Sequence, residues 1–281
     1  MEKRTFNENL RIAAIHDISC IGRCSLTVAL PVISSMGIET NVIPTAVLST
    51  HTGEFTGYTF RDLTDDILPI ARHWKSLNRH FDAFYTGYFG NISQLKIAEE
   101  VFSLLADKNT LKFVDPVMAD NGELYTNFDK TYVGEMKKFC QKADVIIPNI
   151  TEACLLAEID YPVGIQTKDF IEQLLNTLKS LGVSYIILTG VNISSGYGAA
   201  CFDTANGRIS YFLNPHVDGC YYGAGDTLAS VLLGKYLTGN TIEDATRFAV
   251  DFTYKAIIKT KESGQETKYG LVFEPLLKEL N

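Results

Sequence analysis

Short apolar runs that end in turn residues alternate with longer segments of helical period, and this alternation restricts the fold more than any other feature of the chain. Residues 11–15 read as a short buried strand, 17–23 as a loop, and 25–36 as a helix in which Pro31 predicts a kink or a boundary. Gly37 closes that unit. Residues 40–48 read as a second extended segment with a polar loop, 49–53, at its end, and 62–77 as a helix. A strand and turn at 83–88, a helix at 93–106 capped by Ser93, and strands ending at Asp115 and Asn149 continue the pattern. A helix at 167–181 and a strand at 185–190 follow. Segments 198–202 and 208–212 flank Ala205-Asn206-Gly207, a strong hairpin signal, and helices at 227–237 and 242–261 precede an irregular segment after Gly270. The expectation is an α/β fold: a mostly parallel central sheet covered by helices on both faces, with an antiparallel edge hairpin and ligands gathered at the strands' carboxyl ends. No internal repeat, low-complexity linker or composition break interrupts it, so residues 1–281 read as a single domain.

Composition narrows the partners. With 46% hydrophobic and 21% charged residues the chain has material for a large core. A formal net charge of −8 argues against broad nucleic-acid or acidic-membrane binding, because both need positive surface. Residues 1–9 are polar and the apolar stretch after Arg11 is too short for a signal-peptide core or a membrane span, so a cytoplasmic protein is expected. Cys20, Cys24, Cys140, Cys154, Cys201 and Cys220 are scattered without a disulfide framework, which suits a reducing compartment. His16, Cys20 and Cys24 share helical spacing but straddle an expected strand end and turn with no fourth ligand, which argues against zinc.

Gly223-Ala224-Gly225-Asp226-Thr227 is the most informative local stretch. Its glycines let the backbone turn tightly and approach a ligand, and residues 227–233 are apolar at helical spacing, so a helix begins here. The first amides of that helix lack intrahelical partners and, with the dipole, make a ready anion site. Asp226 stands in it. Either it caps the helix after a glycine turn, or it takes a proton from a nucleophile that attacks a phosphate. These residues alone leave both open.

If the strands are parallel, Asp17, His51, Thr52, Tyr88, Asp115, Asn149, Thr189 and Asp226 lie at one edge of the sheet. Each alone has a plain explanation as cap, solvated loop residue or core aromatic. Their repeated placement after strands favours a site. Asp115 and Asp120 lie on one turn, and Asn149 and Glu152 are three residues apart. Hard oxygen donors of this kind suit Mg²⁺, although Asn149 and Glu152 also spell a capping box, and both roles can coexist. No P-loop, complete dinucleotide fingerprint, H-E-x-x-H or G-x-S-x-G occurs, so those nucleotide, metalloprotease and serine-hydrolase readings fall away.

Taken together the motifs resemble the ribokinase superfamily, and more closely its pyridoxal (vitamin B6) kinase branch. The carriers are Asp17-Ile18-Ser19-Cys20-Ile21-Gly22, Ser49-Thr50-His51-Thr52-Gly53, Thr86-Gly87-Tyr88-Phe89-Gly90, Asp115-Pro116-Val117-Met118, Pro148-Asn149-x-x-Glu152 and Gly223-Ala224-Gly225-Asp226, in an order that covers nearly the whole chain. The resemblance implies a ribokinase-like three-layer α/β/α fold and transfer of the γ-phosphoryl group of ATP to the 5′-hydroxymethyl of pyridoxal, pyridoxine or pyridoxamine. It makes Asp226 the catalytic base and the Gly223, Ala224 and Gly225 amides the hole for developing phosphate charge. It places Asp115, Asn149 and Glu152 near Mg²⁺ and the phosphates, with Asp115 and Glu152 on the metal directly or through water. Thr189 becomes a nucleotide contact, and Asp120 and Tyr125 part of a loop over ATP. His51, Thr52, Tyr88 and Tyr222 fall on the substrate side. It leaves a monovalent-cation requirement open and implies a homodimer.

One position departs from the branch. Asp17 falls where many pyridoxal kinases have a serine that contacts the pyridine ring, with Ser19 close enough to argue the register, and an acid there is expected to favour a protonated ring or an amine-bearing vitamer. The rivals are a hydroxymethylpyrimidine kinase of thiamine synthesis, whose related branches often carry cysteine where Asp226 stands, and a non-catalytic B6-binding module, which would need no general base. A sugar or nucleoside kinase is disfavoured by the lack of a β-rich lid insert near the N-terminus.

Overall fold

The apolar runs become strands because they are rich in β-branched and aromatic residues, and the amphipathic stretches between them become the helices that cover those strands. The computed structural model describes residues 9–162 and 164–281; the polar opening of the chain, residues 1–8, lies outside the described residues. The elements of the first half are β1 (Arg11–Ile21), α1 (Leu26–Ser35), β2 (Glu39–Thr50), β3 (Phe60–Asp62), α2 (Thr64–Ser76), β4 (Ala83–Thr86), α3 (Ile92–Leu105) and β5 (Leu111–Val114). They continue with β6 (Ala119–Asp120), β7 (Glu123–Leu124), α4 (Lys130–Cys140), β8 (Val145–Ile146), α5 (Ile150–Ala157), α6 (Lys168–Leu178), β9 (Tyr185–Ile193), β10 (Gly196–Asp203), β11 (Arg208–Asn214), α7 (Ala224–Leu237) and α8 (Ile242–Ser263).

A nine-stranded sheet runs in the order β11-β10-β9-β8-β5-β4-β1-β2-β3. From β9 to β2 every neighbouring pair is parallel. Antiparallel strands close both ends: β10 and β11 at one, as the Asn206-Gly207 signal predicts, and β3, which the sequence pattern does not reveal, at the other. Alternation along β1 divides the core. Ile12 and Ala14 pack with buried residues of α1, α7 and α8, while Ala13 and Ile15 face those of α2 to α6. The result is the expected three-layer α/β/α architecture. Each wholly buried Leu or Ile in these layers contributes about 1.5–3 kcal/mol.

Several boundaries differ from the sequence reading. The expected loop at 17–23 is mostly strand, because β1 runs on to Ile21 through a register shift between His16 and Ile18. Pro31 neither ends nor splits α1, which continues around it. Asn91, rather than Ser93, caps α3, its side chain accepting from the Gln94 amide. Helix α4, which the sequence reading passes over, starts at an Asp129 cap.

The topology decides where a site can form. β1 has β2 on one side and β4 on the other, so successive connections leave it in opposite directions and a crevice opens beyond the strands' carboxyl ends. β1 pairs with β4 only through Ile12–Ile15, whereas it follows β2 as far as Ile21. His16 stands where the two strands part. Among the described residues no helix is long and apolar enough to cross a membrane.

Candidate active site

Helix α7 points its N-terminus into this crevice. Gly223 is its N-cap, with φ of 72°, and a Cβ there would stand 2.1 Å from the Arg23 carbonyl oxygen, so the turn admits only glycine. The Ala224 amide leans toward the Tyr221 carbonyl at 3.4 Å. The amides of Gly223, Gly225 and Asp226 meet no acceptor among the described residues. A Cβ on Gly225 would meet open space. This is a free nest of donors at a helix N-terminus, suited to an anion.

Asp226 does not cap the helix that carries it. Its Oδ1 lies 3.1 Å from His16 Nε2, and its Oδ2 accepts from the Ser25 amide at 2.8 Å and the Cys24 thiol at 3.4 Å. Ser25 delivers that amide from a strained backbone with φ of 59°. Burial pushes the Asp226 carboxyl up, but His16, the Ser25 amide and Cys24 outweigh it and hold the group below its ordinary value. Burial and the nearby carboxylates push the Cys24 thiol up, so it remains a donor. A largely enclosed carboxylate whose ionised form is favoured beside an anion nest is equipped to accept a proton.

Across the crevice Asp115 follows β5, and burial together with the charge of Asp226 pushes it up to about 8, against the opposing pull of His16. Its carboxylate has no hydrogen-bond partner among the described residues. Glu152 is also raised, by burial and then by Asp115. Its Oε1 accepts from the Met118 amide at 3.1 Å and its Oε2 from the Asn149 amide at 2.9 Å. Asn149 returns the bond, accepting from the Glu152 amide at 2.9 Å, and donates to the Ala119 carbonyl at 2.8 Å. The capping box is therefore formed in full. Among the described residues no group of three His, Cys, Asp or Glu side chains is arranged to hold a metal ion. An oxygen-only pair of buried, mutually repelling carboxylates instead fits Mg²⁺, which keeps most of its waters.

The remaining expected residues divide. Thr189, midway along β9, bridges to Asn149, the residue that caps the helix carrying Glu152. Asp120 and Tyr125 belong to a small hairpin whose Asn121-Gly122 turn has φ of 52° and 86°, an Asn-Gly signal that the sequence reading passes over. Gly122 is pinned by its amide to Thr151 Oγ1 at 3.0 Å. On the other flank His51 is buried, with Nε2 2.6 Å from the Lys268 carbonyl and Nδ1 accepting from the Gly53 amide at 3.1 Å. Its ring lies 4.8 Å from that of Tyr222, and a Cβ on Gly53 would be 2.3 Å from the Tyr222 ring. His51 thus supports the Tyr222 face, while Thr52 beside it is exposed. Tyr88 is half-buried with its ring 5.8 Å from Phe128, and burial pushes its hydroxyl up to about 12. Asp17 and Ser19 lie inside: Asp17 Oδ1 meets His16 Nδ1 at 3.0 Å, and Ser19 Oγ donates to Asp17 Oδ2 at 3.3 Å.

His16, Cys24 and Ser25 are site residues that sequence reasoning missed, because His16 reads there only as a failed zinc ligand. The signal that could have found it is Gly87, on whose Cβ position the His16 ring sits, 2.0 Å away. The C-terminal segment is a second omission: the Tyr269 carbonyl accepts from the Arg23 amide at 3.0 Å and so ties the chain's end to the loop that holds Asp226.

The comparisons bear on the family and the fold. A family model, phosphomethylpyrimidine kinase, matches residues 39–271. A crystal structure from Bacteroides thetaiotaomicron, provisionally named a phosphomethylpyrimidine kinase and obtained in a form with pyridoxal, superposes with a TM-score of 0.91 at 36% identity, covering 97% of this chain and 96% of that one. Pyridoxal kinase from Lactobacillus plantarum superposes with a TM-score of 0.88 at 30% identity, covering 98% and 97%. A Saccharomyces cerevisiae relative, provisionally named a pyridoxal kinase, is 29% identical over 217 residues, which is 72% of this chain and 66%, just under two thirds, of that protein's length. With the family model matched across most of its length and the fold shared along nearly all of it, the chain belongs to the phosphomethylpyrimidine kinase family of the ribokinase-like superfamily.

Proposed function

We propose that this protein, acting as a single kinase domain, transfers the γ-phosphoryl group of ATP to the 5′-hydroxymethyl of a B6 vitamer. The observation that carries the reading is the Asp226 carboxylate, largely enclosed, held below its ordinary pKa and bonded away from its own helix, beside amides that the fold leaves without acceptors among the described residues. As the alcohol oxygen attacks phosphorus, its proton passes to Asp226, and the free amides of the 223–226 turn receive the charge that develops on the transferred group. An Asp is a weak base for a neutral alcohol, so proton transfer accompanies bond formation rather than preceding it. Asp115, with Glu152 through water, would hold Mg²⁺, which supplies charge neutralisation between the phosphates when bound. Tyr222 offers a flat apolar face with a polar tip to a substituted pyridine, and Tyr88, half-buried beside Phe128, would supply a second ring.

The pyridoxal in the Bacteroides crystal form supports a B6 vitamer, while the family's name, phosphomethylpyrimidine kinase, supports a pyrimidine of the hydroxymethylpyrimidine kind. A panel of pyridoxal, pyridoxine, pyridoxamine and hydroxymethylpyrimidine with ATP and Mg²⁺ separates the two. Turnover highest on a vitamer sustains the reading; turnover confined to hydroxymethylpyrimidine replaces it, and binding of a vitamer without ATP consumption makes the chain a binding module. We also propose a cytoplasmic homodimer, by analogy with the pyridoxal kinase branch.

A further inference from the structure

His16 touches the proposed base directly, yet the phosphoryl-transfer chemistry above gives it no part. Its ring is almost wholly enclosed, with 1% exposure, and lies between two carboxylates, Nδ1 3.0 Å from Asp17 and Nε2 3.1 Å from Asp226. Two features hold it there. Gly87 leaves the space that the ring fills, since a Cβ would stand 2.0 Å from Nε2, and Tyr85 packs edge-on at 5.9 Å. No Lys or Arg is paired with Asp17, Asp115 or Asp226 among the described residues.

We propose that His16 is a positioning residue: as an imidazolium clamped between Asp17 and Asp226, it keeps the Asp226 carboxylate ionised and aimed at the alcohol. This rests on Asp226 being the base. The titratable groups that face the pair are Asp17 on β1, Cys24 after it, Tyr85 on β4 and Asp115 after β5. Burial drives the Cys24 thiol and the Tyr85 hydroxyl up, so both stay neutral. Asp17 and Asp226, the two carboxylates that touch the ring, are then without a counter-charge unless the ring supplies one. Burial alone would lower His16, but hydrogen bonds to Asp17 and Asp226 raise it to about 10.

A competing arrangement is visible in the same ring. The amides of Asp17 and Tyr88 lie 2.9 and 3.2 Å from Nδ1, and would bond to it only if that nitrogen carried no proton. An imidazolium gives up those two amide bonds and in exchange pairs with a carboxylate at each ring nitrogen, whereas a neutral ring would set the Nδ1 lone pair against Asp17 Oδ1. Asp17 accordingly acts through His16 rather than by reaching the substrate.

The first test needs no substrate. In ¹⁵N-histidine-labelled protein at neutral pH, both ring nitrogens of His16 are expected to carry protons; an unprotonated Nδ1 overturns the proposal. The second uses turnover. His16→Gln, which keeps a neutral donor, is expected to lose about 10–100-fold in kcat with KM for ATP unchanged. Its acid limb should move up by about one pH unit or more, because Asp226 loses the cation that holds it down. Gly87→Ala, which leaves the imidazole in the chain but displaces it, should reproduce that profile, and the double variant should be no worse than either single one. A fall in kcat with the acid limb unmoved in both variants makes His16 a packing residue and ends the proposal. A wild-type protein inactive on every alcohol of the panel would instead overturn the proposed function, while the ring nitrogens still report whether His16 is the cation.

Discussion

Asp226 and Glu152 occupy the same place in two helices, the third residue after the N-cap, at the carboxyl edge of the same sheet, and they do opposite things. Glu152 turns back and bonds to the amide of its own N-cap, Asn149, completing a capping box. Asp226 turns away and bonds to His16 and Ser25 on other elements. The difference begins at the cap. Asn149 has extended backbone and a side chain that satisfies the Glu152 amide, whereas Gly223 has φ of 72° and no side chain to offer. One helix start is therefore closed on itself and stabilises the fold. The other leaves its first donors without acceptors among the described residues and turns its acid to other elements, as the proposed base requires. Asp115 lies within electrostatic reach of both acids, which makes the crevice a single unit.

Substitutions can break this contrast, beginning with its reactive side. Asp226→Asn is expected to keep the fold and nucleotide binding while kcat falls about 10²–10⁴-fold, or roughly 3–5.5 kcal/mol of barrier. Near-normal turnover in the folded variant would reduce Asp226 to a second structural acid. Asp115→Asn, measured as the Mg²⁺ concentration for half-maximal turnover, should raise that concentration about 10–100-fold. An unchanged Mg²⁺ dependence would remove Asp115 from the metal side. Gly223→Ala tests the cap itself. It forces a Cβ onto the Arg23 carbonyl at positive φ, and is expected to destabilise by about 1–3 kcal/mol in thermal unfolding. The smallest effect belongs to Asn149→Ala, where loss of the cap should cost about 0.5–2 kcal/mol and lower Tm by roughly 2–4 °C for each kcal/mol, with kcat affected less than in Asp226→Asn. If Asn149→Ala and Asp226→Asn matched in both stability and kcat, the two helix starts would have the same role.

The fold was largely legible because periodicity is local. Alternating apolar runs announced the parallel strands, and Asn206-Gly207 the hairpin of β10 and β11. What local pattern does not carry is pairing. The three-residue β3 has a burial pattern exposed throughout and is a strand only because β2 offers it an edge. β1 continues to Ile21 because β2 pairs with it that far. In the site, the anion turn and strand-end acids were visible as motifs, but Cys24, Ser25 and His16 were not, since each reaches Asp226 across more than two hundred residues of chain.

The sequence by itself determined the alternation of strands and helices, the glycine turn before Asp226 and the order of its polar loops, because these depend on backbone freedom and side-chain period over a few neighbouring residues. Only the tertiary structure decided which acid caps its own helix and which turns to other elements. That choice depends on the cation brought beside it: His16 reaches Asp226 because β1 and β4 part at the centre of the sheet and Gly87 leaves room for the ring.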